Sequence, residues 1–155
     1  MAISPPPRDQ NGRVTPHDHP DIKTEHRVIR RISEEMVVAG PKGRRVSSAA
    51  FQFSSVGEDP YCGMSVDIEP FMIADGIDAR RHLATPQFVG SIALRVSSLR
   101  SRQLLVGYDP LPENSYHGGV WGKSDKRKLS RGTQRALLKE ATWFVVIDGV
   151  ALVED

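Results

Sequence analysis

The stretch GMSVDIE, residues 63–69, alternates apolar and polar side chains without a break. Successive side chains on an extended strand point to opposite faces, so Met64, Val66 and Ile68 share one side and Ser65, Asp67 and Glu69 the other. Pro70 follows and ends the run, because its ring removes the N–H that a ladder needs. A strand with one apolar face must be covered on that face and paired at its edges, and the neighbouring sequence supplies material for both.

Downstream, FVGSIALRVSS (88–98) repeats the period of two through Ile92, Leu94 and Val96. QLLVGYDP (103–110) does so through Leu104, Val106 and Tyr108, and SLRSR between them reads as a turn, which predicts a hairpin over 89–108. Upstream, HRVIRRI (26–32) suits a strand, EEMVVAGPKG (34–43) gives an apolar patch and a Gly-Pro turn, and RRVSSAAFQFS (44–54) reads as a strand with small residues in its middle. YHGGVWG (116–122) reads as a brief strand, and the Asp148-Gly149 pair between two apolar runs predicts a terminal hairpin.

Helical signals are fewer. IADGIDARRHLATP (73–86) predicts a short helix over about 77–84 closed by Pro86. Ser130 is placed to cap a helix over about 131–142, with Leu137, Leu138 and Ala141 on its apolar side. The sum is an α+β domain over 26–155: a mostly antiparallel sheet of six to eight short strands with one or two helices. Residues 1–25 are rich in proline and poor in large apolar side chains, which predicts a flexible, disordered arm.

Composition narrows the function. No run of about 18 apolar residues is present, which argues against a membrane span. The single cysteine, Cys62, excludes an internal disulfide and a multi-thiolate metal site, fits a reducing cytoplasm, and reads as a small buried hydrophobe. Net charge is +2 and unevenly spread: residues 1–79 hold 9 Lys/Arg against 12 Asp/Glu, residues 80–139 hold 12 against 3, and residues 140–155 hold none against 4. A basic middle between acidic ends favours contact with phosphates or an acidic protein surface.

Three stretches carry candidate chemistry. HDHPD (17–21) offers His17, His19 and Asp21 as metal-ligand types, but between prolines no scaffold fixes their geometry, so no metal site is expected. VIRRI (28–32) followed by GRRVSSAAF (43–51) resembles the first two motifs of the ADP-ribosyltransferase fold. That resemblance implies that Arg30 or Arg31 grips a dinucleotide and that Ser47 and Ser48 support the pocket. The later catalytic glutamate of that family has no counterpart here, since Glu140 falls on the predicted helix and Glu154 at the end of the sequence.

The third stretch, SYHGGVWGKSDKRK (115–128), joins a histidine, two aromatics, a glycine pair and a cationic run. His117 titrates near neutral pH and is a candidate general acid or base. Gly118 and Gly119 let a backbone approach a ligand, and Tyr116 and Trp121 are candidates for stacking on a base or sugar. Lys123, Lys126, Arg127 and Lys128 lead into Arg131, Arg135 and Lys139, the last three spaced one helical turn apart on a single stripe. Asp109, Glu113 and Asp125 lie nearby in sequence without the spacing of a nuclease metal site. No nucleophile-elbow motif is present.

The reading that follows is a non-catalytic, cytoplasmic binding module without a cofactor, whose basic surface over about 116–139 engages nucleic acid or an acidic protein. The alternatives are a small enzyme on a phosphate-containing or nucleotide substrate, ADP-ribosyltransferase-like or nuclease-like with His117 as acid/base, and a subunit of a larger assembly.

Overall fold

The computed structural model describes residues 3–52, 61, 63–78, 81–83, 86–122 and 129–152. Among them, nine strands and three α-helices form an α+β domain. Six strands make one antiparallel sheet: β1 (Arg27–Ser33), β4 (Met64–Ile68), β5 (Phe88–Arg95), β6 (Leu104–Tyr108), β7 (His117–Gly122) and β8 (Thr142–Val145), in the order β6-β7-β4-β1-β5-β8. A small sheet holds β2 (Val37–Gly40), β3 (Gly43–Val46) and β9 (Val150–Ala151). The helices are α1 (Glu69–Ala74), α2 (Val96–Ser101) and α3 (Arg131–Glu140).

Register turns the alternation in β4 into two distinct sheet faces. Val28 opposes Ile68 on one side and Leu94 on the other, so these side chains share the core face with Met64, Val66 and Ile92. Leu99 of α2, Leu137 and Leu138 of α3, and Phe51 close this core from above. Ser130 caps α3 as the sequence reading expects, its hydroxyl accepting from Thr133 N at 3.1 Å. On the second face, Ile29 opposes Asp67, and Asp67 opposes His117. That face is polar and partly enclosed, and Asp67 there is 3% exposed.

Four expected elements take other forms. The 89–108 hairpin does not form: Val96 and Leu99, three apart and both buried, turn SLRSR into α2, which carries β6 to the opposite end of the sheet. Of the helix expected over 77–84, the described residues form a 3₁₀ turn at Arg81–Leu83, with 79, 80 and 84 outside them; the α-helix of this region is α1, with Pro70 in its first turn, where a missing N–H costs no bond. Gly76 (φ +73°) stops it: Gly76 N donates to Ile73 O and Ile77 N to Met72 O, the paired bonds of a left-handed helix terminus. The expected strand over 44–54 is β3 followed by a 3₁₀ turn, Ser48–Phe51, with the Ser47 side chain accepting from Ala49 N. After Gly149 (φ +74°) the chain does not fold back on β8; β9 runs parallel to β3, with Arg44 opposite Val150.

The proline-rich segment has no helix or strand over its described part, residues 3–25, and is tied to the domain along its length. His19 and Ile22 are each 1% exposed. Arg100 of α2 holds it by donating to Asp18 Oδ1 at 3.0 Å and to the carbonyls of His19 and Ile22. No described helix is long and apolar enough to cross a membrane.

Candidate functional site

The ladder between β1 and β4 spans two residue pairs, Val28 with Ile68 and Ile29 with Asp67. Beyond it the two strands part, and the Arg30 side chain bridges the gap, its Nη1 donating to Ser65 O at 2.8 Å and its Nε to Ala50 O at 2.9 Å. A cavity of about 420 Å³ opens at this split. Arg30, Arg31, Arg81, His117, Asn114 and Tyr116 bring polar groups to it; Ile29, Met36, Val66, Phe88 and Leu111 supply apolar wall. A size of several hundred Å³ with a few converging polar groups is usual for a small-molecule site.

Asp67 organises the polar wall. Its Oδ2 accepts from Arg31 Nε at 2.8 Å and from His82 Nδ1 at 2.9 Å, and its Oδ1 from Asn114 Nδ2 at 3.0 Å. Burial by itself would raise this carboxyl, but the His82 hydrogen bond, the Arg31 charge and the remaining donors outweigh it and hold Asp67 below the usual aspartate value. A carboxylate only accepts, so His82 Nδ1 carries a proton, and His82 Nε2 meets Ser91 Oγ at 3.0 Å. Ser91, His82 and Asp67 thus have the connectivity of a nucleophilic triad. They do not work as one here, because Ser91 and His82 are both 0% exposed and the hydroxyl does not reach the cavity. The relay instead fixes Asp67, which fixes Arg31 and Asn114.

Arg31 is neutralised by Asp67, but Arg30 is different: among the described residues no carboxylate forms an ion pair with it. Burial pushes its guanidinium down to about 10, still charged at neutral pH, with the Asp67 charge acting in the opposite sense. His117 donates from Nδ1 to Asp109 O at 2.7 Å, which fixes the tautomer and leaves Nε2 as the ring nitrogen able to take a proton. Burial and the Asp67 charge raise the Tyr116 phenol, so it stays a neutral hydroxyl despite the opposing influence of Arg31.

The other candidate residues fall in separate places. Tyr116 lines the cavity, 9% exposed. Trp121 is 5% exposed, and its ring lies where the Cβ of Gly63, Gly107 or Gly119 would stand, each within 2.6 Å of a ring atom. Gly118 has the Gly107 carbonyl 2.7 Å from its own Cβ position. The glycine pair of HGG therefore makes room for Trp121 and for close strand approach. Arg131, Arg135 and Lys139 are exposed along α3, away from the cavity lining. Lys123, Asp125, Lys126, Arg127, Lys128, Cys62 and Glu154 lie outside the described residues.

Of the residues in the ADP-ribosyltransferase resemblance, Arg30 and Arg31 reach the cavity, whereas Ser47 and Ser48 lie in the 3₁₀ turn region and do not. Glu140 pairs with Arg102 at the end of α3. His17 and His19 bond backbone groups through both ring nitrogens. Sequence reasoning missed Asp67, His82, Ser91 and Asn114 as a group. The one available signal was an aspartate on the best-defined strand, which alternation placed on the face opposite Met64, Val66 and Ile68. Comparison with known protein families, with curated proteins and with solved structures returns no match to this chain.

Proposed function

We propose that the protein takes up a small organic anion, a phosphate ester or carboxylate with an apolar body, in the cavity between β1 and β4. The observation that carries this reading is Arg30, a half-buried guanidinium at the cavity wall whose hydrogen bonds go to the Ala50 and Ser65 carbonyls and which has no carboxylate ion-pair partner among the described residues. A partly desolvated cation without a direct carboxylate contact favours an entering anion, which can form charge-assisted hydrogen bonds with it. Ile29, Val66 and Phe88 give the ligand body an apolar seat, and His117 Nε2 is available to move a proton on a bound substrate. This is the small-enzyme alternative of the sequence reading, now centred on Arg30 as well as His117.

Calorimetric titration with inorganic phosphate, phenyl phosphate and phenylacetate tests it. Saturable binding of either aromatic anion, tighter than inorganic phosphate and weakened at least tenfold in Arg30→Met, is expected. Absence of saturation for all three, or equal affinity in the variant, rejects it.

A second reading rests on α3. Arg131, Arg135 and Lys139 lie one turn apart, exposed, with no ion-pair partner among the described residues. This stripe supports the binding-module reading, in which a nucleic acid or an acidic protein surface docks along the helix.

A further inference from the structure

Strand β6 is an edge of the six-stranded sheet, and the proline-rich segment runs along it. His19 N donates to Val106 O at 2.9 Å, Val106 N to Asp18 Oδ1 at 3.1 Å, and Tyr108 N to His17 Nε2 at 3.0 Å. Two of these three bonds use a side chain of the segment as acceptor, so the edge is covered without a regular backbone ladder.

The hydrogen bonds fix the protonation of the histidines. A ring nitrogen that accepts from a backbone N–H holds a lone pair, and one facing a backbone carbonyl holds a proton. His17 accepts from Tyr108 N at Nε2 and faces Thr15 O at 2.7 Å through Nδ1. His19 accepts from Asp21 N at Nδ1 (3.1 Å) and faces Ser4 O at 2.7 Å through Nε2. His26 accepts from Lys23 N at Nδ1, 2.8 Å away. All three are compatible with this geometry only when neutral: an added proton would point at a backbone N–H. The two inner rings also pack together, His17 edge-on to His19 at 5.8 Å and tilted against Trp121 at 5.6 Å, with His19 edge-on to Tyr108 and Phe71.

We infer that residues 17–26 form an acid-released strap over the β6 edge: protonation of His17 at Nε2 breaks its bond from Tyr108 N, and protonation of His19 at Nδ1 breaks the bond from Asp21 N that shapes the segment. Asp18 and Asp109 face His17 and favour its charged form, but burial, the largest influence, and the neighbouring His19 work against it, and its titration is displaced downward. Asp21 lies beside His19, Arg100 donates to the His19 carbonyl, and Lys23 is next to His26. The ring nitrogens of His17 and His19 are taken by backbone groups. Because the neutral ring is the bound form, strap stability is complete above the ordinary histidine value near 6.5. It is lost as pH falls below that value and through the lower value of the folded state.

Hydrogen exchange followed by NMR on the full chain, corrected for intrinsic rates, reads this at the Val106 and Tyr108 amides, with Ile29 in the sheet centre as reference. Going from pH 7.5 to 5.0, protection of the two edge amides is expected to fall at least tenfold while Ile29 is unchanged. His17→Gln combined with His19→Asn places a carboxamide oxygen where each ring accepts and cannot be protonated there; the pH response should shrink to less than threefold. Equal edge protection at both pH values, or an undiminished response in the double variant, overturns the strap. The ring titrations of His17 and His19 in the unaltered protein give an independent reading. Midpoints that coincide with the loss of protection support it, and midpoints displaced from that loss by more than one pH unit overturn it.

Discussion

Arg31 Nε donates to Asp67 Oδ2 at 2.8 Å, joining β1 to β4 on the polar face where their ladder ends. The two side chains are 20% and 4% exposed, so the pair is largely withdrawn from water. Removing one member of such a pair leaves the other charge buried and unpaired.

Asp67→Asn is therefore expected to cost about 3 kcal/mol, measured by urea unfolding, because Arg31 loses its counter-charge. The pH dependence follows from the depressed carboxyl. Its stabilisation is present above the ordinary aspartate value of 3.8 and is lost as pH falls through the lower folded value. Wild type should lose stability on acidification over that range, and the asparagine variant should lose less.

His117→Ala separates binding from chemistry. With the ring gone, an anion held through Arg30 should keep its affinity within about threefold, whereas any turnover of a phosphate ester should fall at least a hundredfold, a usual effect of losing a general acid or base. Steady-state assays beside a titration of the same ligand read both. A large loss of affinity would instead place His117 among the binding contacts.

Gly119→Ala should destabilise the fold by about 1–3 kcal/mol, the usual effect of overpacking. Its new Cβ would stand 2.6 Å from the Trp121 ring. Gly149→Ala, by contrast, meets no atom within 4 Å, and its cost comes from a φ of +74° alone. Thermal unfolding of the two variants compares crowding with backbone strain.

Reversing Arg131, Arg135 and Lys139 to glutamate tests the helix stripe. If the three contact phosphates, wild type should show log K falling with log salt at a slope near −2.7, about −0.9 for each contact, and the triple variant should lose measurable association. Fluorescence anisotropy with short DNA and RNA at two salt concentrations checks both. Binding insensitive to the reversal moves any nucleic-acid contact away from α3.

The fold class was legible because the period of two runs through β4, β5 and β6, and Ser130 announced α3 by its hydroxyl. Connectivity was less legible. Val96 and Leu99 belong to a six-residue helix too short to leave a periodic signature, so β5 and β6 looked adjacent, although β7, β4 and β1 stand between them in the sheet. The site was legible only in part. His117, Tyr116 and the Arg30–Arg31 pair stood out by residue type, while Asp67 did not, because alternation distinguishes two faces without saying what covers each. His82 and Ser91 complete that cover from a separate stretch of chain, and no local pattern links them. Composition marks the proline-rich arm as flexible and does not register that a single histidine there can bond two backbone groups.

The pairing of Arg44 with Val150 sets an order on biosynthesis. A growing polypeptide can close β2 on β3 early, yet the third member of that small sheet is translated about a hundred residues later. The β5 edge likewise waits for Thr142–Val145. Until then the emerging domain presents two unpaired strand margins, the kind of surface that ribosome-associated chaperones shield and that crowded nascent chains can join in error.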